Sequence, residues 1–169
     1  MNIKVGSKAV VLRDVRGFFR DLIDGIPVAA EGRHEPKVSE RIFSSPGCDD
    51  DAEFQADWKE HVQTDLEMIF SSANDVVRRD LKAAETSDSG ETTSIHIPFA
   101  HVPSWLNSLN QARLTLAARH DFVEKDMRGF GGAEFHSLRD VDLYRIHFYG
   151  FIQDSLVEAL SERDSDSSQ

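Results

Sequence analysis

Cysteine is almost missing from this chain, Cys48 being the only one. A single thiol excludes an intramolecular disulfide and any zinc site built from several thiolates, and it suits a reducing compartment. Basic residues are also scarce: 19 Lys and Arg stand against 30 Asp and Glu, a formal net charge of -11. A surface of that sign repels phosphate backbones and anionic headgroups, so neither nucleic acid nor a membrane is expected as the main partner. No apolar run approaches membrane-spanning length. No N-terminal stretch joins a basic start, an apolar segment and a small-residue cleavage site, so a cytoplasmic protein is expected. The common catalytic signatures are missing too. There is no His-Glu-x-x-His, no Gly-x-Ser-x-Gly and no glycine-rich loop closed by Gly-Lys-Ser/Thr.

What is present describes a globular protein. The 169 residues, 40% apolar and 29% charged, suffice for one domain with a sizeable core. Residues 2–12 place β-branched side chains around Gly6-Ser7 and read as a short hairpin. From Arg13 the period becomes helical, with Val15, Phe18, Phe19, Leu22 and Ile23 on one side, up to Asp24-Gly25 and Pro27. Gly17 inside that helix would cost ~1 kcal/mol relative to Ala. Residues 26–48, with Pro27, Gly32, Pro36, Pro46 and Gly47, read as a mobile loop.

Asp49, Asp50 and Asp51 then precede a long helical pattern, placed to cap free N–H groups. They lack the alternating ligands and obligatory glycine of a calcium loop. Phe54, Trp58, Val62, Leu66, Ile69, Phe70, Ala73, Val77 and Leu81 keep the helical period to about Glu85, with a bend expected at Ser71-Ser72. Asp80 lies on the apolar side of this helix. Residues 86–91 read as a linker and residues 92–97 as a strand that gains stability by joining the N-terminal hairpin. Pro98 and Pro103 lead into the helix Trp105–His120.

After Phe122, the glycines at 129, 131 and 132 read as a flexible connection, because no strand leads in and no Lys-Ser/Thr follows. Residues 141–160 form a helix that is apolar nearly all round, the mark of a central helix or of a self-association face. The ending, 161–169, reads as a disordered acidic tail. The fold class expected is therefore mainly α: about four helices in a bundle, the last one most buried, with a small N-terminal antiparallel β-sheet, all in one domain over residues 1–160.

The candidate chemistry is thin. His96 and His101 bracket a strand-to-helix corner, and His120 lies at a helix end near Asp121, Glu124 and Asp126. Converging imidazoles and carboxylates could take zinc or iron. The plainer reading leaves these histidines structural and the protein without a cofactor. The strip His147, Asp154 and Glu158 reads as a solvent-facing side rather than an acid–base cluster. Cys48 has no neighbouring base to activate it.

Arg113 demands an account under any reading. It shares a helical face with Val102, Trp105, Leu106, Leu109, Ala112 and Leu116, and Asn110 lies towards one edge of that face. A guanidinium cannot shed its charge, so burial requires a carboxylate or several carbonyls. Asp80, and Asp142 on the last helix, are the partners expected for an internal ion pair. The alternative is that Arg113 and Asn110 line a polar pocket and grip an anionic ligand.

Trp105-Leu106, Leu109-Asn110 and Arg113-Leu114 read as W-L-x-x-L-N-x-x-R-L, and Ile152-Gln153-Asp154-Ser155-Leu156 follows in the last helix. With the order of elements, these motifs make the chain resemble the bacterial domain-of-unknown-function (DUF) family twenty-seventeen over most of its length. One departure is Ala117-Ala118, where the family pattern has a Leu-Gly pair. The resemblance implies no established activity. Its members are often encoded beside the adaptor of the Clp protease, which implies a role in regulated proteolysis by association. The function expected is thus a non-enzymatic interaction or adaptor protein with a protein partner and a homodimer as a further expectation. The alternative is a small-ligand or metal-binding domain, hydrolytic in one version, using Arg113, Asn110, His96, His101 and His120.

Overall fold

The computed structural model describes residues 1–44, 51–128 and 135–166. Strands β1 (Asn2–Val5) and β2 (Ala9–Val15) form the N-terminal hairpin, with Ile3 opposite Leu12 and Val5 opposite Val10. Strand β4 (Thr93–Pro98) pairs antiparallel with β2, and a two-residue strand β3 (Glu85–Thr86) pairs with β4. The order β1-β2-β4-β3 is the small antiparallel sheet expected, extended by a strand where the long helix is expected to end, at Glu85, and the linker to begin, at Thr86. Val10 and Leu12 of β2 and Ile95 and Ile97 of β4 turn one face of this sheet into the core. Asp14, at φ 54, interrupts the β2–β4 register between Leu12 and Val15; Asp is among the few residues that tolerate the left-handed region.

Two expectations change where the first helix begins. Arg13–Val15 belong to β2, and α1 covers only Phe18–Asp24. Gly17 is not inside the helix but precedes it, at φ 49, a conformation that L side chains resist. The stretch read as a mobile loop is largely helical: α2 (Ile26–Glu31), a 3₁₀ turn over Gly32–His34, and α3 (Pro36–Ile42). Pro27 and Pro36 stand in the first turns of these helices, where a missing N–H costs nothing, so they start structure rather than break it. Gly32 is required by close packing, since a Cβ there would come within 2.5 Å of Thr115. Cys48, Asp49 and Asp50 lie outside the described residues.

Asp51 caps α4 (Ala52–Asp57), its side chain accepting a hydrogen bond from the Phe54 N–H at 3.0 Å. The helix continues through a π-helical stretch, Trp58–Gln63, into α5 (Thr64–Lys82). Its irregularity therefore lies at Trp58–Gln63, and α5 runs unbroken through Ser71-Ser72. A 3₁₀ turn (Phe99–His101) leads into α6 (Val102–Arg119), which carries the helical pattern past Ala117-Ala118. After the short α7 (Glu124–Arg128) comes α8 (Leu138–Asp166), so residues 161–166 extend the last helix instead of forming a tail. With α4 and α5 joined and α7 set aside, the described residues carry six helices rather than about four.

The most enclosed helix is α6, not the last one. It packs against α2, α3, α5 and α8. Trp105, Leu109, Ala112, Leu116 and Ala118 are buried on it, as are Ser108, Gln111 and Thr115. Small and short polar side chains let neighbours approach on several sides, which a count of large apolar residues does not reveal. By contrast, α8 buries Ile146, Tyr149, Ile152 and Leu156 but leaves Phe151 and Val157 half exposed. No described helix is long and apolar enough to cross a membrane.

Candidate functional site

Arg113 points from α6 toward α8, over Gly150. A Cβ on Gly150 would sit 3.6 Å from the guanidinium carbon, in ordinary van der Waals contact, so the guanidinium lies directly against this turn of α8. The Arg113 Nη1 donates to Gln153 Oε1 at 2.5 Å, and Gln153 Nε2 donates to the Leu106 carbonyl at 3.1 Å. Arg113 Nε is buried without a hydrogen-bond partner. No carboxylate of the described residues forms an ion pair with Arg113. Burial first, and the Arg113 charge second, hold the nearby His147 below the usual imidazole pKa. Asn110, expected at the edge of the same face, is exposed.

Both carboxylates expected to neutralise Arg113 are occupied elsewhere. Asp80, only 7% exposed, accepts from Trp105 Nε1 at 2.8 Å and lies 2.9 Å from His101 Nδ1. If the His101 proton sits on Nδ1, the buried carboxylate takes two donors from α6 and its entry turn. Asp142 lies 2.8 Å from His120 Nε2 and 2.8 Å from Arg145 Nη1. Each acid thus ties two segments together without reaching Arg113. In place of the expected ion pair Arg113 has an amide contact, with Gln153 one turn past Gly150 on α8.

The histidines do not converge. His96 is exposed on the sheet, 3.7 Å from Glu85; His101 serves Asp80; His120 serves Asp142. Among the described residues no three His, Cys, Asp or Glu side chains group as a metal site would require. Asp154 and Glu158 are exposed on α8.

Sequence reasoning missed a more deeply buried guanidinium than Arg113. Arg33 is 3% exposed, donating to the Ala30 carbonyl at 3.2 Å and to Ser71 Oγ at 2.7 Å. Its place in a segment read as a loop hid it. The Gly32-Arg33 pair after a proline-initiated helix was the available signal.

The feature that does face outward is aromatic. Phe18 and Phe19 of α1 meet Tyr144 and Phe148 of α8, with Phe18–Tyr144 and Phe19–Phe148 ring centroids both 5.5 Å apart. Phe135 joins them, edge-on to Tyr144 at 5.5 Å. Met1, Phe19, Tyr144, Phe148 and Phe151 line an apolar hollow of about 340 Å³. Phe18 is 41% exposed and Phe151 53%, so aromatic surface lies open at its margin. Leu138, further back on α8, is also exposed. In the sequence Phe18 and Phe19 read as the apolar side of the first helix, and Tyr144, Phe148 and Phe151 as part of a last helix that is either central or a self-association face.

The W-L-x-x-L-N-x-x-R-L and I-Q-D-S-L motifs meet through Arg113, Gln153 and the Leu106 carbonyl, and Trp105 holds Asp80. The signature thus records how α6 is fixed to α5 and α8. Comparison with curated proteins and with solved structures gave no match. A family model, described as Domain of unknown function (DUF2017), matches residues 8–160. The chain belongs to that family.

Proposed function

We propose that this protein is a non-enzymatic interaction protein that docks a partner on the aromatic face shared by α1 and α8. The observation that carries this reading is the open hollow lined by Met1, Phe19, Tyr144, Phe148 and Phe151, with Phe18 and Phe151 exposed at its edge. Aromatic side chains supply large contact area for few immobilised torsions, and they concentrate at interface centres. Polar residues that could have served chemistry are engaged internally: Arg113 with Gln153, Asp80 with Trp105 and His101, Asp142 with His120 and Arg145. This supports the interaction reading over a ligand site at Arg113 and Asn110. The family resemblance supplies the partner to try first, the adaptor of the Clp protease, in the cytoplasm, with a second copy of the chain as the competing occupant.

The test is a titration of the isotope-labelled chain with the purified Clp adaptor, and separately a dilution series of the chain alone. Saturable amide shifts centred on Phe18, Tyr144 and Phe151 are expected in one of the two, weakened at least about tenfold by Phe151→Ser. Shifts that avoid this face in both series, or none at all, would overturn the reading.

A further inference from the structure

A second hollow, of about 590 Å³, opens where α1, the C-terminal turn of α5 and the β3–β4 hairpin meet. Its lining includes Arg20, Arg78 and Lys82 but a single carboxylate, Asp24. Arg20, Arg78 and Lys82 gather in one concavity of a chain with net charge -11, and with Asp24 on Arg20 and Glu31 on Arg78 set against them, Lys82 leaves the hollow with a positive excess. Clefts lined by one sign of charge concentrate the opposite ion.

The cations are held in place without being used up. Arg20 Nε contacts Asp24 at 2.6 Å, and its Nη2 lies 3.5 Å from the Leu81 carbonyl. Arg78 Nη2 lies 2.5 Å from Glu31. A guanidinium has five N–H donors, so each of these forks is oriented by a neighbouring acid and keeps donors to spare. Lys82, exposed at the end of α5, has no ion pair among the described residues. Across the hollow, Thr86 and Thr93 face each other as a cross-strand pair, and both belong to its wall. The hairpin that carries them is pinned by hydrogen bonds from Ser87 N–H to the Thr92 carbonyl at 2.9 Å and from Gly90 N–H to the Ser87 carbonyl at 2.8 Å. At φ 74, Gly90 makes that turn and leaves open space where a side chain would stand.

We infer that this hollow binds a small oxyanion ligand, a metabolite carrying phosphoryl or carboxylate groups, gripped by Arg20, Arg78 and Lys82 and hydrogen-bonded by Thr86 and Thr93. Its residues are separate from the aromatic face, and it stands or falls independently of the docking function.

Pyrophosphate and citrate, titrated separately into the labelled full-length chain, test the site and distinguish the two ligand chemistries. Saturable amide shifts at Thr86, Gly90 and Thr93 are expected with at least one of them, at a Kd of about 1 mM or below. Lys82→Glu is expected to weaken binding at least about tenfold, Lys82→Arg to retain it, and Lys59→Glu, a charge reversal in the π-helical stretch, to leave it unchanged. Arg78→Gln provides a second variant, with its fold checked by amide positions away from the hollow. No saturable shift by about 10 mM of either anion overturns the inference. So does a titration that Lys82→Glu and Arg78→Gln leave as in the parent chain.

Discussion

Along the seam where α6 meets α5 and α8, charged and polar side chains lie inside the molecule; on the face shared by α1 and α8, aromatic side chains lie outside it. The two regions invert the ordinary distribution of residues and do so with different consequences. Inside, Asp80 finds Trp105 and His101, and Arg113 finds Gln153 through Nη1 while its Nε stays without a partner, so each unusual residue is tied to a neighbour within the chain. Outside, Phe18 and Phe151 have packed only part of their surface, and among the described residues nothing covers the rest. A buried polar group satisfied at home is a structural tie, whereas an aromatic surface left open is available to a partner. The comparison moves attention away from the residue that looks strangest in the sequence and toward residues that look ordinary there.

The sharpest way to break the comparison is at Trp105. Trp105→Ala removes a fully buried indole and the N–H that Asp80 accepts, and it is expected to cost about 4–5 kcal/mol, read by urea denaturation. A loss below about 2 kcal/mol would mean that Asp80 is not held as described. Next comes the tie at Arg113. A double-mutant cycle on Arg113→Met and Gln153→Leu is expected to give a coupling of about 1.5–3 kcal/mol, the range for hydrogen bonds to a charged group. The parallel cycle with Asp142→Asn should give little; a larger coupling there would restore the ion pair expected from the sequence.

On the aromatic face the effects should fall on binding. Phe151→Ser is expected to change stability by less than about 1 kcal/mol, since the side chain is half exposed, while abolishing most of the partner affinity. A large stability loss would place Phe151 in the core after all. The smallest effect concerns pH. His147 is held below the usual imidazole pKa by burial and then by Arg113, so the unfolded chain binds the proton more readily. Stability should therefore fall as pH drops below about 6.5, by a fraction of a kcal/mol after solvent screening, and His147→Gln should flatten that limb of the curve. An unchanged pH profile in the variant would show that His147 is not the group responsible.

Much of the secondary structure was legible because periodicity and turn chemistry act locally. The N-terminal hairpin, its pairing with residues 93–98, the cap at Asp51 and the helix Val102–Arg119 all follow from spacing and residue type. The stretch from Ile26 to Ile42 was not legible. Pro27 and Pro36 carry the same local signal whether they end a helix or begin one, and contacts of Gly32 and Arg33 with Thr115 and Ser71 decide which. A charge on an apolar helix face marks Asp80 and Arg113 as positions needing partners, but spacing does not say which partners: Asp80 meets Trp105 and His101, and Arg113 meets Gln153. Opposite charge points to the two acids, whereas the fold engages both of them elsewhere and sets Gln153 against Arg113.

By itself, the sequence determined a mainly helical domain with a small antiparallel sheet, the absence of a multi-thiolate metal site, and membership of a family through two helix motifs. Those properties depend on composition and on neighbours within one or two turns. Tertiary structure alone decided that α6 is the enclosed helix, that Arg113 ends on an amide over Gly150, and that the aromatic residues of α1 and α8 share one open hollow. An apolar stripe says only that a helix face avoids water. Which element covers it, and how much is left uncovered, depends on packing between segments distant in the chain.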